Sequence, residues 1–201
     1  MFCMLLRKHL EGAIIEEIRQ KELDRIIVFE MRGRNEIGDV SNKQLIIEIM
    51  GRHSNIILVD KDRNIILDSI KHVSYAVNSY RAILPGQTYK YPPEQDKVNP
   101  LECSEEDVIR RLDFNAGKLD QQLILQFSGV SPLLAKEILQ RSGLPTPANV
   151  AKNCIETFSL FREGSYTPVL KQLGSKEAFY CIDLKQGNDT GTKTFSTLSE
   201  M

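Results

Sequence analysis

Apolar positions in the first third of the chain follow a two-residue period. β-Branched residues dominate these runs, and Gly, Asn and Asp separate them. Such alternation predicts β-strands with one buried face. The predicted strands are 13–18, 25–31, 44–50, 55–60 and 64–70. Because the connections are short, we expect antiparallel neighbours that form one layer of a sandwich or open barrel.

Four further segments lie before, between and after these strands. Residues 1–12 have helical spacing, and Gly12 is a typical helix stop. Residues 51–55, Gly-Arg-His-Ser-Asn, separate two apolar strands and favour a tight turn. Residues 60–64 predict a further hairpin. Residues 71–100 carry few apolar periods and predict an irregular connection.

The apolar period becomes helical from residue 104 onward. Ser104 and Asp107 resemble a capping box with Asp in place of Glu. Strand patterns return near the end of the chain, with a hairpin loop between them. The predicted helices are 104–112, 116–127, 131–143 and 146–164, and the later strands are 178–184 and 192–198. This order predicts an α+β protein in which a helical domain (101–165) is inserted between two parts of a β domain (1–100 and 166–201).

Composition allows a packed core and excludes a strong global charge. Hydrophobic residues make up 41% of the 201 residues, which suffices for a core without disulfide staples. The 26 basic and 27 acidic residues leave a net charge of −1. Any contact with nucleic acid must therefore come from local basic patches.

The four cysteines are widely separated and include no CxxC pair or Cys/His cluster. We interpret them as buried free thiols of a reducing, cytoplasmic compartment, and we predict no metal site. No run of 18 apolar residues occurs, so we predict no membrane span. The three histidines accompany no GxSxG, HExxH or P-loop motif. We therefore predict no catalytic residue, no cofactor and no enzymatic activity.

The segment FSGVSPLLAKEIL (127–139) has the spacing of a helix–hairpin–helix. Gly129 permits a sharp turn, and Pro132 suits a first helical position. The turn and the following helix N-terminus would suit a phosphate, with Gly129, Ser131 and Lys136 as candidate ligands. Packing alone explains the same pattern equally well.

Charged residues flank the second predicted strand. Asp24 and Arg25 precede it, and Arg32 and Arg34 follow its apolar part. Arg7 lies on the first helix. Each could be ordinary solvated surface charge, which is the commoner role for such residues.

Taken together, several motifs resemble the NFACT family, and they occur in the order of that family. They are FCMLLRKHLEG, DRIIVF, EIGD, LIIEIMGRHSNIILVD, LPGQTYKYPP, FSGVSPLLAKEIL and FSTLSEM. The resemblance implies a β domain similar to the N-terminal domain of formamidopyrimidine-type DNA glycosylases, with a helix–hairpin–helix insert.

The resemblance also implies a function in ribosome-associated quality control. Family members bind large ribosomal subunits that carry an obstructed nascent chain, and bacterial members recruit alanyl-tRNA for alanine tailing of that chain. The family's Asp-Arg pair for tRNA matches Asp24 and Arg25. We further expect RNA contacts from Arg7, Arg32, Arg34, Arg52 and His53.

Two other functions are open. The family also includes proteins named for fibronectin or fibrinogen binding, which suggests a surface adhesin. Kinship with glycosylases suggests a DNA-binding enzyme, which would need a catalytic N-terminus and usually a zinc finger. The family's sequence extends beyond both ends of this chain, so we expect a fragment whose exposed sheet edge could pair with another copy.

Overall fold

A computed structural model describes the backbone of residues 1–201 and all side chains except those of 188–190. The chain forms two compact units, Met1–Gln95 and Asp96–Met201. Both contain helices and antiparallel strands, which confirms the predicted α+β class.

The first unit is an antiparallel β-meander preceded by one helix. The five strands form a single sheet in the order β1-β2-β3-β4-β5. Their bounds, after α1 (Phe2–Leu10), are β1 (Ile14–Gln20), β2 (Ile26–Arg34), β3 (Val40–Glu48), β4 (Asn55–Asp60) and β5 (Ile65–Ser69). All five predicted strands and the 60–64 hairpin are confirmed.

One face of this sheet carries the core of the unit. Its buried residues are Ile26, Val28, Ile46, Ile57, Val59 and Ile66. Ile83 and Tyr89, from the irregular chain after β5, pack onto this face. We predicted a sandwich-like domain, but the described strands of this unit all join one sheet. Irregular chain takes the place of a second layer, because its prolines interrupt strand pairing while its apolar side chains still cover the core.

The outer edge of β1 is exposed. Ile14 and Ile18 are each 57% exposed, and no described strand pairs with this edge. A bulge between Ile15 and Glu17 and several charged side chains interrupt the edge, as in natural edge strands that resist aggregation. Self-association through this edge stays a prediction.

The second unit packs four helices around an apolar core. The helices are α2 (Glu105–Arg111), α3 (Leu119–Gln126), α4 (Pro132–Ser142) and α5 (Pro147–Arg162). Phe127 and Phe158 lie at the centre of the core, with ring centroids 5.8 Å apart. The capping box of Ser104 and Asp107 is present, with each residue bonding the other's backbone N–H.

The last strands form a sheet of their own in the order β7-β6-β8. They are β6 (Val169–Leu173), β7 (Lys176–Tyr180) and β8 (Asn188–Thr194). We expected residues 166–201 to return to the first domain; here they lie in the same unit as the helices. Ile182, just after β7, belongs to the core that the helices build.

The predicted hairpin between 178–184 and 192–198 is wrong. β8 pairs with β6, and β6 itself was missed. The predicted strand 178–184 extends beyond the end of β7 because Ile182 and Leu184 continue the alternation of apolar residues. Both side chains are buried, but neither residue belongs to a strand. β6 escaped detection because Lys171, a charged residue, occupies a buried position of its short run. Likeness to glycosylases and the helix–hairpin–helix assignment stay predictions.

Candidate nucleic-acid interface

Two predicted sites meet at one end of the first sheet, where β2 begins, β3 ends and β4 begins. The Ile49 N–H donates to the Arg25 carbonyl at 2.8 Å. This bond places Asp24 and Arg25 beside the turn that carries Arg52 and His53. All four of these side chains belong to exposed residues. We call this edge, residues 24–25 and 49–55, the Arg25 end of the sheet.

The turn at this end is a short 3-10 helix over Gly51–His53. Gly51 has a φ of 57°, a left-handed conformation that favours glycine. The Met50 N–H donates to Ser54 Oγ at 2.9 Å, which closes the turn. Arg52 Nε donates to His53 Nε2 at 2.9 Å, so the two side chains lie side by side on the surface. The turn thus presents the Arg52 guanidinium at the surface.

A second turn positions Asp24. The Asp24 N–H donates to the Lys21 carbonyl at 2.9 Å, and Lys21 Nζ lies 3.7 Å from the Asp24 carboxylate. The same Nζ lies 4.9 Å from the centroid of the Tyr91 ring. The Asp24 carboxylate is 55% exposed and its contact with Lys21 is long. It therefore keeps acceptor capacity for a donor from outside.

A cavity of about 340 Å³ opens near the same end of the sheet. One wall comes from the ends of β3 and β4, and the other from the irregular chain after β5. Its lining combines apolar, amide and charged side chains, as small-molecule sites do. The lining residues are Glu48, Met50, Arg52, His53, Asn55, Lys71, Val73, Val77, Asn78, Arg81, Ile83, Pro92 and Pro93. Asp24 and Arg25 lie outside this lining.

A buried ion pair joins the two walls. Arg81 donates to both carboxylate oxygens of Glu48, at 2.6 and 2.7 Å. The Tyr89 hydroxyl donates to the same carboxylate at 2.8 Å. Burial opposes the charge on Arg81, but the hydrogen bonds that Arg81 donates to Glu48 outweigh it, so the Arg81 pKa is raised. Burial, with the nearby Glu48 charge, raises the pKa of Tyr89.

Sequence reasoning missed this part of the site. Glu48 reads as a strand residue among apolar neighbours, and Arg81 and Tyr89 lie in irregular chain. The one available signal was the charged residue at the inward position of β3, since a buried carboxylate requires a partner.

Three other candidates lie away from the Arg25 end. Arg32 and Arg34 are at the opposite end of β2, where Arg32 pairs with Glu16 and Arg34 donates to the Gly38 carbonyl at 2.7 Å. Arg7 is exposed on α1, whose last turn approaches Gly33. The structure therefore divides the predicted RNA contacts between two ends of one sheet.

The candidate phosphate hairpin lies in the second unit. Gly129 has a φ of 74° in the connection from α3 to α4. Ser131 is the N-cap of α4 and its Oγ accepts from the Leu134 N–H at 3.2 Å. Lys136 is exposed on α4. The Ser131 hydroxyl is thus engaged in capping, which favours the packing interpretation for that residue.

Among residues with described side chains, no group of His, Cys, Asp and Glu could hold a metal ion. Cys103 and Cys154 are buried free thiols, whereas Cys3 is exposed, contrary to the prediction that all four are buried. Cys3 falls on the outer side of α1, where one helix face meets solvent. No helix in the described part of the chain is long and apolar enough to cross a membrane.

Comparisons with known proteins identify the family. The chain is 49% identical over 201 residues to the Rqc2 homolog RqcH of Bacillus subtilis and 42% identical over 173 residues to that of Streptococcus suis. It covers 35% and 29% of these proteins, so it spans about a third of the curated relatives' length.

A solved structure shares the fold. The crystal structure of the fibrinogen binding protein from Staphylococcus aureus matches the whole chain with a TM-score of 0.89 and 39% identity, over 73% of its own chain. The family model described as NFACT N-terminal and middle domains matches residues 1–201. The protein therefore belongs to the NFACT family.

Proposed function

We propose that this chain is part of a ribosome-associated quality-control factor of the cytoplasm. The factor would bind obstructed large ribosomal subunits and recruit alanyl-tRNA for alanine tailing of the stalled nascent chain. Its RqcH relatives support a ribosome quality-control role at the level of the family. The observation that carries the tRNA assignment is the meeting of Asp24-Arg25 with Arg52-His53 at one end of the sheet.

The chemistry at this end suits an unpaired stretch of RNA. An exposed carboxylate such as Asp24 accepts hydrogen bonds from base edges or ribose hydroxyls, and Arg25 and Arg52 can pair with phosphate or stack on a base. The lining of the nearby cavity combines apolar side chains with the basic residues Arg52 and Lys71, which suits one flipped-out nucleotide better than a duplex.

In this proposal the protein positions substrates and is not an enzyme. The ribosome would supply the peptidyl-transfer chemistry, and the chain would raise the local concentration of the correct tRNA beside it. Binding through phosphates predicts strong weakening by salt.

The experiment replaces both Asp24 and Arg25 with Ala in the intact protein. We expect loss of tRNA from ribosome pull-downs, measured by tRNA sequencing, with little change in recovered large subunits. The matched control is Arg162→Ala with Glu163→Ala, an exposed pair of adjacent opposite charges at the end of α5 in the second unit. Unchanged tRNA recovery in the Asp24/Arg25 variant would refute the assignment.

A second candidate function is binding of fibrinogen or fibronectin. It is favoured by the similarity to the fibrinogen binding protein of Staphylococcus aureus. The exposed edge of β1 could receive an added strand from such a partner. Retention of fibrinogen or fibronectin at salt concentrations that abolish ribosome binding would support this function over the first.

A further inference from the structure

The cavity at the Arg25 end has one wall from regular structure and one from irregular chain. Glu48, Met50 and Asn55 come from β3, its end and the start of β4. The opposite wall, from Lys71 to Pro93, contains no described helix or strand. Such chain has few backbone ties of its own, so the width of the cavity depends on what fastens this wall to the sheet.

Several contacts fasten this wall. Its later part bonds to β5, where the Ile66 N–H donates to the Gln87 carbonyl and the Gly86 N–H donates to the Ile66 carbonyl, both at 2.8 Å. Its earlier part, from residue 71 to residue 83, has different ties. Near residue 71, Asn55 exchanges two hydrogen bonds with the Lys71 backbone, at 2.9 and 3.0 Å. Farther along, the wall is a small backbone ladder in which Val73 and Ile83 bond each other at 3.0 and 2.7 Å. This ladder is joined to the sheet by the ion pair between Arg81, in the irregular chain, and Glu48, at the end of β3.

The geometry points to Arg81 as a positioning residue, which holds the irregular wall at the distance and angle that keep the cavity formed for RNA. This inference rests on the proposed function. A two-pronged contact between a planar guanidinium and a carboxylate sets both distance and orientation. Arg81 Nη1 also donates to the Lys90 carbonyl at 2.9 Å, so one side chain ties three parts of the unit.

Stability alone is a weak explanation for this pair. Replacing a buried ion pair with apolar residues of similar volume often leaves stability unchanged or raises it. Glu48 is 1% and Arg81 9% exposed, so both charges lose hydration in the fold. What an apolar pair cannot reproduce is the fixed direction of the two hydrogen bonds.

The test is the double variant Glu48→Leu with Arg81→Met, which removes the pair without leaving an orphan charge. Hydrogen exchange is measured in the 201-residue chain. We expect amides of Val73 and Ile83 to exchange about tenfold faster, while those of β2 and β3 are unchanged. A merely structural role would speed exchange throughout the unit.

The same double variant in the intact protein is assayed by tRNA recovery on large subunits. We expect about a tenfold loss, with no loss in the control Lys152→Leu with Glu156→Leu, an exposed pair on α5 of the second unit. Wild-type exchange together with wild-type tRNA recovery in the double variant would overturn the inference.

The two arms separate this inference from the proposed function. If the unmodified protein recovers no tRNA, the proposed function fails. The exchange measurement still decides whether Arg81 holds the wall. If the unmodified protein recovers tRNA and the double variant matches it in both tRNA recovery and hydrogen exchange, the inference fails and the proposed function stands.

Discussion

Replacing Glu137 with Gln should destabilise the second unit by about 3 kcal/mol, because two charge-assisted hydrogen bonds are lost. Glu137 lies on α4, is 0% exposed and fastens the chain after β7. Its Oε1 accepts from Arg141 Nε and the Lys185 N–H, both at 2.7 Å. Its Oε2 accepts from the Gln186 N–H and Nε2, both at 3.2 Å.

The magnitude follows from this geometry. The Gln side chain keeps one of the two oxygens and replaces the other with an NH₂ group. That NH₂ group can only donate, so it cannot accept from the two N–H donors that faced the lost oxygen. Each hydrogen bond to a charged group contributes about 1.5–3 kcal/mol, and the longer bonds of Oε2 belong at the low end. Since domains have about 5–15 kcal/mol of stability, the variant should still fold.

The contribution of Glu137 to the free energy of unfolding depends on pH in a direction that its pKa shift defines. Burial raises the pKa of Glu137, but the hydrogen bonds from Lys185, Arg141 and Gln186 outweigh it, so the folded-state pKa is lowered. The stabilisation is therefore present above the unfolded pKa of about 4.3 and is lost as pH falls through the folded value. The Gln variant should lack this contribution.

The assay is urea unfolding followed by far-ultraviolet circular dichroism, because α2–α5 all lie in the second unit. The control is Glu156→Gln on α5, where the carboxylate is 61% exposed and 3.8 Å from Lys152. We expect less than about 0.5 kcal/mol of change there. A loss below about 1 kcal/mol for Glu137→Gln would refute the reasoning that this carboxylate ties the segment.

Two further predictions concern the second unit and the thiols. Gly129→Val forces a β-branched residue to a φ of 74° and should cost about 1–3 kcal/mol in urea unfolding, whereas Gly129→Asn should cost less. Weaker tRNA binding at equal folded fraction would favour the phosphate role of the hairpin; loss of stability alone would favour packing. In native alkylation read by mass spectrometry, Cys3 should react well before Cys154, because Cys154 is buried and burial raises its pKa to about 12. Equal rates would contradict the placement of α1.

Local sequence predicted most elements of both units. The strands β1 to β5 and the helices α1 to α5 follow from the period of their apolar residues. Their bounds differ by a few residues because helix and strand ends depend on capping and pairing. Ser104 was recognisable as an N-cap since a cap acts within three residues of sequence.

The site was predicted less completely. Asp24, Arg25, Arg52 and His53 were found through motifs, but their meeting depends on antiparallel pairing of β2 with β3. Arg81 and Tyr89 were missed because their partner, Glu48, lies 33 and 41 residues away in sequence. Irregular chain has no period from which an inward direction could be inferred.

The sequence by itself determined the α+β class, the meander of the first unit and the resemblance to the NFACT family. Only the tertiary structure decided that one sheet is covered by irregular chain, that β8 pairs with β6, and that a buried ion pair joins the two walls of the cavity. The reason is the range of the interactions. Propensity, capping and turn formation act over a few residues, whereas strand order and buried charge pairs depend on long-range contacts that no local pattern encodes.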